Sequence, residues 1–196
     1  MPAAYGQTTL PAVTVCAGPD WVKSNPTSDS VVYRCKRVCS AQDGSKCTYP
    51  TTDIIGNHLR TIAFVVDSMA GQMRWNSPST IAAGVFHHSG LNGTSFASDA
   101  FGRDVRALWA AFGNEGVRIV EPAREGGVDA LGWFARKSGT GTTLPALAVR
   151  PAALIQWTRA NLVPSDAKLG TVGCSGGSIA TFAPVFWHGL GPIVDY

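Results

Sequence analysis

The chain is predicted to fold as an α/β protein, a mostly parallel sheet with helices on both faces, and three observations lead to that class. Apolar runs of strand length recur at 61–66, 81–86, 117–120 and 168–173. Segments with helical period lie between the later ones, at about 99–112 and 151–162. Glycine, proline and asparagine mark each change of texture. Strands that alternate with helices pair in parallel and bury both faces of their sheet.

With 196 residues, 45% of them apolar, the chain has material for one substantial core. A formal charge of +3 with 15% charged residues, and no run of basic residues interleaved with aromatics, provides no electrostatic footing for nucleic acid or an acidic membrane. No stretch approaches the roughly 20 apolar residues that cross a bilayer, so no transmembrane segment is expected. The N-terminus lacks the basic-then-apolar pattern of an intact signal peptide, which implies a soluble chain with any export signal already missing.

Residues 1–52 read as a loop-rich N-terminal segment and 53–196 as the α/β domain. The first part carries the turn signals Gly18-Pro19, Asn25-Pro26 and Asp43-Gly44, with a short strand-like piece at Val31-Val32-Tyr33. Cys16, Cys35, Cys39 and Cys47 crowd into it, whereas Cys174 stands alone. Two disulfides in an oxidising compartment are expected, and with them a secreted or periplasmic location. Unpaired thiols in the cytoplasm are the alternative. A zinc site is the third reading, but the spacing fits no common zinc pattern and no histidine lies nearby, so neither metal nor cofactor is expected.

Thr61-Ile62-Ala63-Phe64-Val65-Val66 is a β-branched and aromatic strand bounded by Asp67 and Ser68. A second strand at 81–86 runs into His87-His88-Ser89-Gly90-Leu91-Asn92-Gly93, which has the composition of a loop. Ser98 or Asp99 can cap a helix whose apolar face is Phe101, Val105, Leu108, Trp109 and Phe112, stopped by Gly113, Asn114 and Gly116. Val117-Arg118-Ile119-Val120 follows as a strand ending at Glu121-Pro122. A glycine-rich connection then spans about 123–149 and contains Trp133 and Phe134. Pro151 opens the next helix, Pro164-Ser165-Asp166 breaks it, and 168–173 form a strand. A helix runs from Ser178 to Trp187 with Pro184 as a kink, and Gly191–Tyr196 begin a further strand, as in a truncated sheet.

Gly173-Cys174-Ser175-Gly176-Gly177 is a G-x-S-x-G sequence placed between strand and helix, the context that motif requires. Residues without bulky side chains around Ser175 allow a sharp turn that projects the hydroxyl. A helix starting behind it aims N–H groups at the place where negative charge develops in acyl transfer.

The run from Val163 to Gly177 resembles the strand-and-elbow region of α/β-hydrolase serine hydrolases, esterases and lipases among them, and the likeness covers residues from about 61 onward. The resemblance implies that Ser175 is the nucleophile in cleavage of a small-molecule, lipid or polymer ester. It also implies that the Gly176 N–H is one oxyanion-hole donor, with the Leu91 N–H as the second and the Asn92 N–H as its alternative. His88, Trp133 and Phe134 are candidate substrate-binding residues, with bracing of the loop and local anchoring as the plainer readings. The Cys174 thiol is expected to pack against the sheet. In this family the order is serine, acid, histidine, and twenty-one residues follow Ser175. The acid and histidine are therefore expected outside this chain, with little turnover by the segment alone.

Two other classes compete. A non-catalytic secreted binding protein of the same descent would keep the elbow without a working triad. A chymotrypsin-like protease shares a Ser-Gly-Gly sequence but is all-β, against the helices read here.

Overall fold

A computed structural model describes residues 9–16, 21–27, 30–35, 51–54, 57–66, 69–90, 93, 96–97, 103–124 and 144–195. The strands are β1 (Val13–Cys16), β2 (Trp21–Thr27), β3 (Ser30–Cys35), β4 (Thr51–Ile54), β5 (Asn57–Val66), β6 (Met69–Asn76), β7 (Ala83–His88), β8 (Val117–Arg124) and β9 (Lys168–Gly173). The helices are α1 (Arg103–Asn114), α2 (Leu144–Asn161) and α3 (Gly176–Trp187).

Seven strands form one sheet in the order β1-β5-β6-β8-β7-β9, with β4 sharing an edge of β5 beside β1, while β2 and β3 make a separate hairpin. The sheet is mixed. The expected parallel arrangement holds for β8, β7 and β9, the half that leads to Ser175. The half containing β1, β4, β5 and β6 is antiparallel, because Val66 pairs with Met69 and so short a connection can join only antiparallel neighbours.

Helix placement follows from the connections. The path β7-α1-β8 steps to one side of β7 and β8-α2-β9 steps back across it, so right-handed crossovers put α1 and α2 on opposite faces. Side chains alternate accordingly. Phe86 and Val120 join the core of Phe64, Met73, Trp75, Leu154, Ile155 and Leu169 beneath α2 and α3, whereas Val85 and Ile119 meet Trp109 and Ala110 of α1.

Several boundaries differ from the sequence expectation, each for a physical reason. β6 was not expected, although buried Gly71, Met73 and Trp75 alternate with Gln72 and Arg74 in the way a half-buried strand does. β7 extends through His87 and His88, which pair with Val172 and Gly173, so both histidines belong to the strand and not to a loop. β8 does not stop at Glu121-Pro122. Pairing with β6 runs to Arg124, while its parallel register with β7 reaches only Val120, so Pro122 lies where a missing donor breaks no ladder to β7. Of the expected helical face on α1, Trp109 is buried but Leu108 and Phe112 are exposed, and the place of the missing contact is taken by Ala110. Pro151 lies inside α2 and does not open it. Residues 191–193 form a turn in place of a strand.

Within residues 1–52 the described parts include β1, which extends the main sheet, and the β2–β3 hairpin, whose register shifts between Ser24 and Thr27, across Asn25-Pro26. The expected cysteine pairing, the Ser98 or Asp99 cap and residues 125–143 lie outside the described residues and side chains. No described helix is long and apolar enough to cross a membrane.

Two local devices hold the strands that carry the site. Asn76 bridges β6 to β8, its Nδ2 donating to the Val117 carbonyl at 3.0 Å and its Oδ1 accepting from the Ile119 N–H at 2.8 Å. Arg159 donates to the carbonyls of Pro164 and Ala167, at 3.1 and 2.6 Å, and so knits the turn entering β9.

Asp195 closes the outer edge of β9. Its N–H donates to the Leu169 carbonyl, its Oδ2 accepts from the Leu169 N–H, both at 2.7 Å, and its Oδ1 lies 2.9 Å from Lys168 Nζ. The Lys168 ammonium and the Leu169 N–H hold its carboxyl below the ordinary 3.8.

Two outcomes are expected. Leu154→Ala, at a fully buried site, should lower unfolding stability by about 2–5 kcal/mol in chemical denaturation. Because the Asp195 carboxyl has a depressed pKa in the fold, its contribution is present above the unfolded value near 4 and is lost as pH falls through the folded one. Asp195→Asn should therefore melt below wild type at pH 7, with the difference vanishing towards pH 2.

Candidate active site

β9 ends at Gly173 and α3 begins at Gly176, so the chain must reverse direction within two residues. Ser175 does this with φ 54° and ψ −122°, and it is the only non-glycine residue with positive φ among those described. Such a conformation costs of order 1–3 kcal/mol and persists only where its surroundings enforce it.

The surroundings are backbone. A Cβ on Gly173 would collide with the Gly177 carbonyl oxygen, and one on Gly177 would come within 2.7 Å of the Ser89 oxygen and 2.8 Å of the His88 oxygen. The end of β9, the first turn of α3 and the end of β7 thus meet with no room for side chains. Ser178 Oγ donates to the Gly173 carbonyl at 3.2 Å, fastening helix to strand, and Thr181 Oγ1 donates to the Gly177 carbonyl at 2.9 Å within the first turns of α3.

Ser175 is exposed at the crest of this turn. In the first turn of α3 the Gly177 N–H is taken by the Cys174 carbonyl at 2.9 Å and the Ser178 N–H by the Ser175 carbonyl at 3.0 Å. Gly176 is the first residue of the helix, where an N–H has no intrahelical acceptor and the dipole is positive. The arrangement suits an oxygen that gains negative charge beside Ser175.

The other expected residues are distributed unevenly. Leu91, Asn92, Trp133 and Phe134 lie outside the described residues. Gly90, which precedes Leu91 in the chain, faces the elbow, since a Cβ there would meet the Cys174 oxygen at 3.2 Å and Ser175 Cβ at 3.7 Å. The Gly93 N–H, at a residue with φ 65°, closes back on the Gly90 carbonyl at 3.1 Å. His88 is buried with its ring edge-on to Phe86 at 4.8 Å. Cys174 is exposed and does not pack against the sheet as expected, because strand alternation ends where the turn begins.

Glu121, which sequence reasoning passed over, sits with Arg74 and His87 on three adjacent strands near the carboxyl ends of β7 and β8. Its side chain is fully buried, with Arg74 Nη2 at 3.1 Å and His87 Nδ1 at 3.5 Å. The Arg74 guanidinium stacks under the Phe96 ring at 3.9 Å. An acidic residue inside an apolar strand was the available signal, since a buried carboxylate requires charged partners. Among the described residues no group of histidine, cysteine or acidic side chains is arranged to hold a metal ion.

The strand order, the strand-turn-helix at Ser175 and the helices on both faces make this an α/β fold of the α/β-hydrolase type, and the all-β chymotrypsin-like reading is thereby excluded. An acetyl xylan esterase from Thermoanaerobacterium sp. superposes with a TM-score of 0.50 at 12% identity, over 72% of this chain and 48% of that one. A cold-adapted esterase from an Arctic intertidal metagenomic library gives 0.48 at 16% identity, over 70% and 59%. An α/β serine hydrolase homologue from Coxiella burnetii gives 0.38 at 15%, over 68% and 57%. The chain spans about half to three-fifths of the length of these structures. No family model and no curated protein sequence matches it.

Gly177→Ala should be destabilising by about 1–3 kcal/mol, because the added methyl meets two carbonyl oxygens that cannot rotate away. Urea denaturation checks this, and Gly191→Ala, at a position with open space, serves as the comparison.

Proposed function

We propose that the protein containing this chain is a serine hydrolase that cleaves carboxylic esters, with Ser175 as nucleophile. The observation that carries the reading is the left-handed backbone of Ser175 between a parallel strand and a helix N-terminus. A serine held in that way is exposed to a substrate and lies next to donors for its oxyanion. The likeness in fold to an acetyl xylan esterase agrees with ester chemistry.

In this mechanism Ser175 Oγ attacks the ester carbonyl carbon while its proton passes to a histidine. The tetrahedral oxyanion is held by the Gly176 N–H and by an N–H of the 90–93 loop, that of Leu91 or Asn92. Collapse expels the alcohol, which takes the proton, and water then releases the acid from the acyl-enzyme. The described histidines are poorly suited as the base. His87 turns Nδ1 to Glu121, His88 is enclosed beside Phe86, and His188 is buried at the end of α3, its N–H on the Pro184 carbonyl. In this reading the acid and the histidine follow Ser175 in the order serine, acid, histidine and are supplied by chain beyond these residues. The cysteines at 16, 35, 39 and 47 support an oxidising, extracytoplasmic location.

A fluorophosphonate probe should label the full-length protein and leave Ser175→Ala unlabelled. Hydrolysis of a p-nitrophenyl ester should fall by about four to six orders of magnitude in that variant. Equal labelling of both proteins would refute the role of Ser175, and no labelling of either would favour a binding protein that has kept only the elbow.

A further inference from the structure

The residue at the corner between β7 and the elbow carries a hydroxyl that bonds to none of the described residues. Ser89 is 6% exposed, and its buried Oγ has no hydrogen-bond partner among the described residues. Buried hydroxyls are bonded in the large majority of proteins, and leaving one unpaired is destabilising. An orphan therefore needs an explanation, and its position offers one.

Ser89 lies between two residues in contact with the nucleophile turn. Its own carbonyl oxygen stands 2.7 Å from where a Gly177 Cβ would be, against the first turn of α3. The next residue, Gly90, would place a Cβ 3.7 Å from that of Ser175. Because the hydroxyl is only two bonds from its Cα, it is confined to within a side chain's length of the elbow. The N–H groups of Gly177 and Ser178 are already used by the turn, which leaves few protein donors for an oxygen bound beside Ser175. A hydroxyl whose proton is not engaged in the free protein is a suitable donor for such an oxygen.

Resting on the reading of Ser175 as nucleophile, we propose that Ser89 Oγ is a side-chain donor of the oxyanion site. When an acyl ester binds, the hydroxyl turns from its enclosed rotamer and donates to the substrate's carbonyl oxygen, adding to the backbone N–H groups. The proton stays on Ser89 throughout, and the bond strengthens as that oxygen gains charge. The hydroxyl is thus left unpaired in the free protein and satisfied in the transition state, a difference that accelerates the reaction.

The test uses the full-length protein and three forms of it: wild type, Ser89→Ala and Ser175→Ala. Ser89→Ala should react with the fluorophosphonate about ten- to a hundredfold more slowly and lose a similar factor in kcat on a p-nitrophenyl ester with KM nearly unchanged. Its melting temperature should be equal to that of wild type or raised by about 2–4 °C, since an unpaired polar atom is removed. A merely structural hydroxyl behaves oppositely, its loss lowering the melting temperature and leaving the labelling rate as it was. An unchanged rate in Ser89→Ala, with Ser175→Ala unlabelled, overturns the Ser89 proposal alone. Equal labelling of wild type and Ser175→Ala overturns the nucleophile reading and this proposal with it.

Discussion

The close approach of three backbone segments is the constraint on which the rest of the site depends. The last residue of β9, the first turn of α3 and the end of β7 lie so near one another that neither Gly173 nor Gly177 can carry a side chain. This contact turns the chain sharply enough to impose positive φ on Ser175. Strain at one residue is tolerable when the strands on either side are anchored, and here they are. β9 is zipped to β7 from Ala83–Lys168 to His88–Gly173, and α3 is tied back to β9 by the Ser178 hydroxyl.

The anchoring reaches deeper into the fold. β7 lies between β8 and β9 in the parallel half of the sheet, with Phe86 in the larger core and Val85 in the smaller one. A strand gripped on both faces and both edges is a firm platform for the loop that follows it. The far half of the sheet is antiparallel and contributes bulk, Phe64, Met73 and Trp75, to the core under α2. On β8, the neighbour of β7, Glu121 is a fully buried acidic side chain. Arg74 from one flanking strand offsets the cost of removing it from water, His87 from the other lies 3.5 Å away, and together they tie three neighbouring strands.

Much of this was legible in the order of residues. The strands at 61–66, 117–120 and 168–173 declare themselves by β-branched and apolar content. The elbow declares itself because a G-x-S-x-G sequence between strand and helix is tied to a local steric requirement. The errors came from elements whose signals are weaker or whose burial depends on neighbours. β6 alternates apolar with polar residues and holds a glycine, and so lacks a continuous apolar run. His87 and His88 look like loop residues, yet they continue β7 because β9 offers a partner as far as Gly173. Leu108 and Phe112 fit a helical stripe, but the face of α1 turned to β8 is centred on Trp109 and Ala110, which leaves those two in solvent.

By itself the sequence determined where strands and helices alternate and where the backbone can bend sharply enough to present a serine. Those properties arise from side-chain branching, period and the absence of a Cβ, all of which act over a few residues. Only the tertiary structure decided which strands are neighbours, that Glu121 is caught between Arg74 and His87, and that the Ser89 hydroxyl is enclosed beside the elbow without a partner among the described residues. Those depend on groups brought together from separate parts of the chain, and no local pattern encodes them.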